Sequence, residues 1–377
     1  MSALLRTAFA GLCTLLLFVA CSGSPVVTIA VQQGDTLAMR HSRLLHIVSC
    51  DSFSVVEIKN PWQKGLLHRY LLVDRDSTLP KNMPAGTLLR TPLSRSLLFS
   101  GVHVALLEEL GAVGAVRGVC DARYMPLQAV GRGVASGAIV DCGSSLNVDA
   151  ERVVQLAPDA VFVLPFENGG YGKLEKLKYP LVECAEYMEP SPLAAAEWMR
   201  FYGRLVGCGE KADSLFDAVC DTFASIAAKV AAADDAPTLM CELKSSSAWY
   251  VPAGESTMGQ MYKIAGADYL FAANSGSGSV PLSFETVLHK AAGARFWLFK
   301  YNSRVEKTYS SLLNEFPGYA HFAPFKERNI YACNTERKPV FEETAFHPEL
   351  LLKELVAIFH PTIFPGYKTK YYEKLQE

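Results

Sequence analysis

The sequence predicts an α/β protein: two Rossmann-like lobes joined by one long bridging helix, plus a small N-terminal β extension. Three observations carry this prediction. Short apolar runs alternate with helical patterns from residue 95 onward, a second such series starts at residue 238, and one long amphipathic stretch lies between them. At about 150 residues per domain, 377 residues make two to three domains' worth of chain. With 50% apolar and 20% charged residues, disorder and low complexity are excluded as whole-chain descriptions. A net charge of -2 leaves no broad basic field, so a nucleic-acid partner is not expected.

The chain opens on an export signal. Arg6 is the lone charge before an apolar stretch at residues 8–20, too short to span a bilayer, which runs into Leu17-Phe18-Val19-Ala20-Cys21. This resembles a bacterial lipoprotein signal, in which small residues precede a cysteine that is lipidated and becomes the first mature residue. Ala20 and Cys21 match, whereas Phe18 stands where that pattern favours Leu. Residues 1–20 are then the signal peptide, Cys21 the lipidation site and 21–39 a tether that begins Ser22-Gly23-Ser24. An ordinary cleaved signal with Cys21 incidental is the alternative. Either way the mature chain is exported, and no other apolar segment reaches the roughly twenty residues of a membrane span.

Residues 40–92 alternate apolar and polar positions over short runs, as in Ser54-Val55-Val56-Glu57-Ile58 and Arg69-Tyr70-Leu71-Leu72-Val73. Turn punctuation at Asn60-Pro61-Trp62 and over 80–86 breaks these runs into a β extension closed by Pro92. The first lobe, 93–209, has strands expected near 96–99, 116–120, 137–140, 160–164 and 181–184, with helices near 104–110 and 149–156. The second, 235–377, has strands expected at 238–241, 249–251, 296–299 and 329–332.

Between the lobes, Ala212, Leu215, Phe216, Val219, Cys220, Phe223, Ile226, Ala227 and Val230 recur at the spacing of one buried helical face. Residues 210–232 make a helix of about 34 Å, roughly a lobe's length. With 210–234 as a single bridge, hinge closure is limited, because bending the helix breaks its hydrogen bonds.

No motif for covalent chemistry is present: no phosphate loop, no nucleophile elbow, no H-E-x-x-H and no dinucleotide fingerprint. The run Gly276-Ser277-Gly278-Ser279 reads as a loop. Of ten cysteines, Cys13 goes with the signal and Cys21 to lipid; none of the rest forms a C-x-x-C pair. They read as small buried apolar residues, as at Cys220 and Cys241, although an exported chain can form disulfides. The eight histidines are scattered singly and no metal site is expected from spacing, but folding can gather distant residues. His103 draws interest because it follows the first strand of lobe one, where α/β folds place ligands. Glu151 and Glu285 fall in first helical turns if Asn147 and Ser283 cap those helices. There a carboxylate gains about 0.3–1 kcal/mol from the helix dipole, which by itself explains both.

The lipoprotein signal, two α/β lobes and bridging helix together resemble a substrate-binding protein of an ABC importer, in the helical-bridge class serving vitamin B12, haem and ferric siderophores. Local motifs carry the likeness. Leu146-Asn147-Val148-Asp149-Ala150-Glu151-Arg152-Val153, followed by Leu156-Ala157-Pro158-Asp159-Ala160-Val161-Phe162-Val163, resembles that class's N-x-E-x-I/V and L-x-P-D-x-V segment. Leu282-Ser283-Phe284-Glu285-Thr286-Val287-Leu288 is its counterpart in lobe two, and Gly111-Ala112 before Val116-Arg117-Gly118-Val119 is similar to the first helix-to-strand turn. The likeness covers about residues 93–360, and the β extension resembles a variant among lipoproteins of Bacteroides-like bacteria.

The resemblance implies a monomeric carrier rather than an enzyme, with no cofactor or catalytic residues. It would be lipid-anchored on the periplasmic face of the inner membrane, with the outer membrane or cell surface as alternatives. Its ligand would be a small-molecule metal complex: a ferric siderophore, haem or cobalamin. Glu151 and Glu285 would each dock an arginine of a dimeric ABC permease, a charge-assisted and reversible contact. Cleft candidates come from strand ends: Ser100, His103, Arg123, Tyr124, Phe166, Glu167, Asn168 and Tyr171 in lobe one; Trp249, Tyr250, Lys300, Tyr301, Arg304, Arg337 and Lys338 in lobe two. Aromatic walls suit flat ligands and arginine forks suit carboxylates. The alternatives are a bare-metal carrier using His103 or a cleft tyrosine, and an extracytoplasmic chelatase-like enzyme acting on tetrapyrroles.

Overall fold

The computed structural model describes residues 34–276 and 278–377. The export signal, Cys21 and most of the tether lie outside the described residues. The β extension is a five-stranded sheet of Asp35–Leu37, Leu45–Ser49, Ser54–Lys59, Leu66–Asp74 and Thr87–Thr91, in sequence order. Its first four strands are antiparallel neighbours, as tight turns allow, and the fifth runs parallel to the fourth. Ile47, Val56, Ile58, Tyr70 and Leu89 share one core with lobe one, so the extension is part of that lobe's packing. It begins five residues earlier than the predicted residue 40, at Asp35.

Lobe one is a parallel sheet ordered Leu181–Glu183, Ala160–Val163, Ser96–Leu98, Val116–Val119, Val140–Asp141. The chain moves outward from Ser96–Leu98 in one direction and then returns to build the other side. The sheet therefore has a switch point between Ser96–Leu98 and Ala160–Val163. Lobe two is ordered Asp268–Tyr269, Thr238–Cys241, Phe296–Tyr301, Ile330–Asn334, Glu373–Lys374, parallel except for its last strand. Its switch point lies between Thr238–Cys241 and Phe296–Tyr301.

The strand expected at 249–251 is not in that parallel sheet. Ala248–Pro252 pairs antiparallel with Lys244–Ser245 and Ser279–Leu282 in a separate small sheet. The few residues after Cys241 are too short for a parallel crossover, and a hairpin is what such a connection permits.

The bridging helix runs Gly209–Val230, 22 residues. Ala212, Phe216 and Val219 belong to the core of lobe one, and Phe223, Ile226 and Val230 to the core of lobe two. A second link is absent from the sequence reading. After Ile330–Asn334 the chain crosses back: Val340 is still in the core of lobe two, but its helix Val340–Thr344 lies against Gly101–Glu109 of lobe one and Phe346 is buried among that lobe's core residues. The helix Pro348–Phe359 then returns to the core of lobe two through Leu352, Leu355 and Val356. Residues 340–347 thus strap lobe two to lobe one, although they fall within the predicted second lobe.

Candidate ligand-binding cleft

Two contacts join the segments beyond the strand ends of lobe one to the rest of the chain. Gly101, which opens the helix after Ser96–Leu98, lies so close to Glu342 of the strap that a Cβ there would stand 3.0 Å from the glutamate Cγ. Thr257 of lobe two also meets the Glu189 carbonyl, beyond the end of Leu181–Glu183, at 3.5 Å. In such sheets ligands enter outside the strand ends at a switch point, which directs attention to the loops that follow these strands.

On lobe one, Ser100 caps the helix Gly101–Glu109 by accepting from the Val102 N–H at 3.3 Å. Arg123 and Tyr124 project from the turn Ala122–Tyr124, both exposed, with the guanidinium 4.4 Å from the ring centroid. Asp121, in left-handed backbone at φ 56°, accepts from the Ser145 N–H at 2.9 Å. That bond fixes a neighbouring loop whose Leu146 is 96% exposed. Phe166 is 65% exposed, its ring 6.4 Å from that of Tyr187. Glu167 and Asn168 are exposed beside it, while Tyr171 is half-buried and donates to Glu183 at 2.8 Å.

His103 is not on the cleft wall. It is 1% exposed, with Nε2 2.9 Å from Glu186 Oε1, and Tyr202 donates to the other carboxylate oxygen at 2.6 Å. The early helical turn directs the ring into the core instead of along the strand end. Burial opposes its charge, but Cys184 and Glu186 outweigh that and raise its pKa to about 10.

On lobe two, Trp249 is likewise a core residue. It is fully buried, donates its indole N–H to the Cys241 carbonyl at 2.9 Å and packs edge-on to Tyr319 and Phe322. Strand alternation explains this: Trp249 points inward, and its neighbour Tyr250 is half exposed. Lys300 contacts Glu242 Oε1 at 3.2 Å and the Tyr372 hydroxyl at 3.5 Å. Burial opposes its charge, but Glu242 and Tyr372 hold its pKa well above the ordinary lysine value. Arg304 and Arg337 are exposed on adjoining loops; Arg337 pairs with Glu306 at 2.9 Å and donates to the Arg304 carbonyl at 2.9 Å. Tyr301 donates to the same Glu306, while Lys338 is held by Glu373 at 2.6 Å.

The sequence reading missed Glu242. It ends the strand Thr238–Cys241 at the lobe-two switch point with φ 62°, its carbonyl held by the Trp297 indole at 2.9 Å. A non-glycine residue held in left-handed backbone by fixed partners is typical of ligand-facing loops.

Glu151 and Glu285 occupy the same place on their helices, the second residue after the cap, and both are exposed. Ser283 caps as expected, accepting from the Thr286 N–H at 3.2 Å. Asn147 does not cap. Asp149 takes that role, accepting from the N–H groups of Glu151 and Arg152, while Asn147 pairs in a short strand and accepts from Lys173 at 3.0 Å. A cap must stand immediately before the helix, which begins at Ala150.

The sequence model of a family described as periplasmic binding protein matches residues 100–336. The chain belongs to the periplasmic binding protein family. Its two parallel-sheet lobes and the single helix between them place it in the helical-bridge class of ABC-importer substrate-binding proteins. Members of this family bind substrates for transport. A lipoprotein of Methanocaldococcus jannaschii is 24% identical over 81% of this chain and 76% of its own. Among solved structures, a periplasmic haem-binding protein from Pseudomonas aeruginosa shares the fold at TM-score 0.59 and 18% identity, over 75% of this chain and 98% of that one. A periplasmic vitamin B12-binding protein of Vibrio cholerae does so at TM-score 0.51 and 14% identity, over 73% and 99%. No helix among the described residues of this family member is long and apolar enough to cross a membrane.

Proposed function

We propose that this periplasmic binding protein is a lipid-anchored carrier that captures an iron complex, a ferric siderophore or haem, or otherwise a corrinoid, between its lobes. It hands that ligand unchanged to an ABC permease dimer. The observation that carries the reading is the set of exposed aromatics and guanidinium groups on loops after strands of both lobes, Arg123 stacked on Tyr124, Phe166, Arg304 and Arg337, with the half-exposed Tyr250 on the small sheet of lobe two. Flat or amphipathic metal complexes with acidic groups suit such walls. Structural neighbours named for haem and vitamin B12 binding support that ligand class, and the name of the archaeal relative supports Cys21 as the anchor. Glu151 and Glu285, matched in helical position and exposed on separate lobes, are the proposed contacts to permease arginines.

Calorimetry against haem, cobalamin and several ferric siderophores tests this. One of them should bind stoichiometrically and be recovered unaltered. Binding of sugars or peptides with none of these sinks the proposal, and turnover of a tetrapyrrole would point to an enzyme.

A further inference from the structure

His103, Cys184 and Glu186 each bring one metal-ligand atom to a common point inside lobe one, all within 4.8 Å of one another. They arrive from separate elements. His103 lies on the helix Gly101–Glu109, while Cys184 and Glu186 follow the strand Leu181–Glu183. All three are buried, so they are not part of the proposed ligand cleft. From these observations we infer a closed structural metal site, for Zn2+ or a similar borderline divalent ion, built from His103, Cys184 and Glu186.

The donor chemistry fits. One imidazole, one thiolate and one carboxylate are three donors of the mixed N/S/O kind zinc accepts, with bonds of about 2.0–2.3 Å, and a water would complete the tetrahedron. A triangle of donors at that reach has sides of about 3.5 Å, inside the observed 4.8 Å envelope. The charges also close: a divalent cation, a thiolate, a carboxylate and a neutral imidazole sum to zero, which a dry core tolerates. Loading would release the Cys184 thiol proton and the proton shared between His103 and Glu186.

The unloaded arrangement leaves one group short of a partner: His103 Nδ1 is buried with no hydrogen bond, while the Cys184 thiol donates to the Val182 carbonyl at 3.5 Å. The second shell is in place, because Tyr202 donates to Glu186 Oε2 at 2.6 Å and fixes that carboxylate. The eight cysteines among the described residues are all free, so a metal would be the cross-link that this exported lobe otherwise lacks.

Because the site is closed, the full chain in detergent is unfolded and refolded with Zn2+ or Co2+, and bound metal is then counted. One equivalent per chain is expected, with a near-ultraviolet thiolate-to-cobalt absorption in the Co2+ form. Cys184→Ser and His103→Gln should each lose both signals, whereas Cys241→Ser, at an equally buried thiol of lobe two, should keep both. Circular dichroism of the metal-free variants checks that they fold. Refolded wild type without stoichiometric metal overturns the site whatever the variants do, and so does a Cys184→Ser protein that still carries one equivalent.

Discussion

The ring of Phe346 meets Tyr202 edge to face, with centroids 5.7 Å apart and planes at 74°. Tyr202 belongs to lobe one, and Phe346 reaches it from a chain that has already completed four strands of lobe two's main sheet. The lobes are therefore tied twice, by the bridging helix and by this strap. Phe346→Ala should cost about 3–5 kcal/mol, as for other buried Phe truncations. It should also loosen the limit on hinge closure, so that scattering profiles of the empty and loaded protein differ more than they do for wild type. A variant with wild-type stability in urea and an unchanged profile would show that the strap contributes nothing.

His347, next along the strap, joins Glu109 of lobe one at 2.7 Å and Glu349 at 2.9 Å. Burial disfavours its charge, but the two carboxylates more than offset this and raise its pKa from 6.5 to about 9. The native state then holds the proton more tightly than the unfolded chain. The stabilisation is full below about pH 6.5 and fades as pH rises through about 9. Denaturation of wild type and His347→Gln across pH 6 to 10 should give curves that converge at the alkaline end. A gap that stays constant with pH argues against the charged pair.

Arg123 and Trp249 should separate affinity from stability. Arg123→Ala removes an exposed guanidinium from the proposed cleft wall and should weaken ligand binding by about 1–3 kcal/mol with little change in melting. Trp249→Ala empties a core position and should cost about 3–5 kcal/mol of stability instead. Calorimetric titration beside thermal melts reads both, and reversed outcomes would exchange the two roles.

Reversing both Glu151 and Glu285 to Lys should abolish uptake in cells while the purified protein keeps its ligand affinity, since neither side chain is among the cleft-wall residues. Normal uptake by the double variant would remove these residues from the permease contact.

Cys21→Ser should block lipidation, and the wild-type N-terminal peptide should carry diacylglyceryl mass, because stable anchoring takes two acyl chains. A wild-type peptide without that mass would leave Cys21 as an ordinary residue.

The lobes and the bridge were legible because their signals are local. Strand-length apolar runs and the spacing of Ala212, Phe216, Val219, Phe223, Ile226 and Val230 each lie within a single element. The strap was not, because Val340–Thr344 is five residues long and the Phe346 that follows it owes its place to contacts with distant His103 and Tyr202. The reading of His103 and Trp249 as cleft residues rests only on their distance past a strand. Which way each side chain turned depended on helix phase in one case and antiparallel pairing in the other. Glu242 carried no signal, since the indole that steadies its backbone comes from 55 residues away.

The division of the bridging helix bears on how the molecule folds. Its first half is buried by one lobe and its second half by the other, with the handover near Cys220 and Phe223. A helix is held chiefly by the surfaces it packs on, so melting either lobe strips half of this one and frays the rest. Neither lobe can then persist as a free-standing unit with its native boundary. Heating should give one cooperative transition shared by both lobes, and a protease should release neither of them intact.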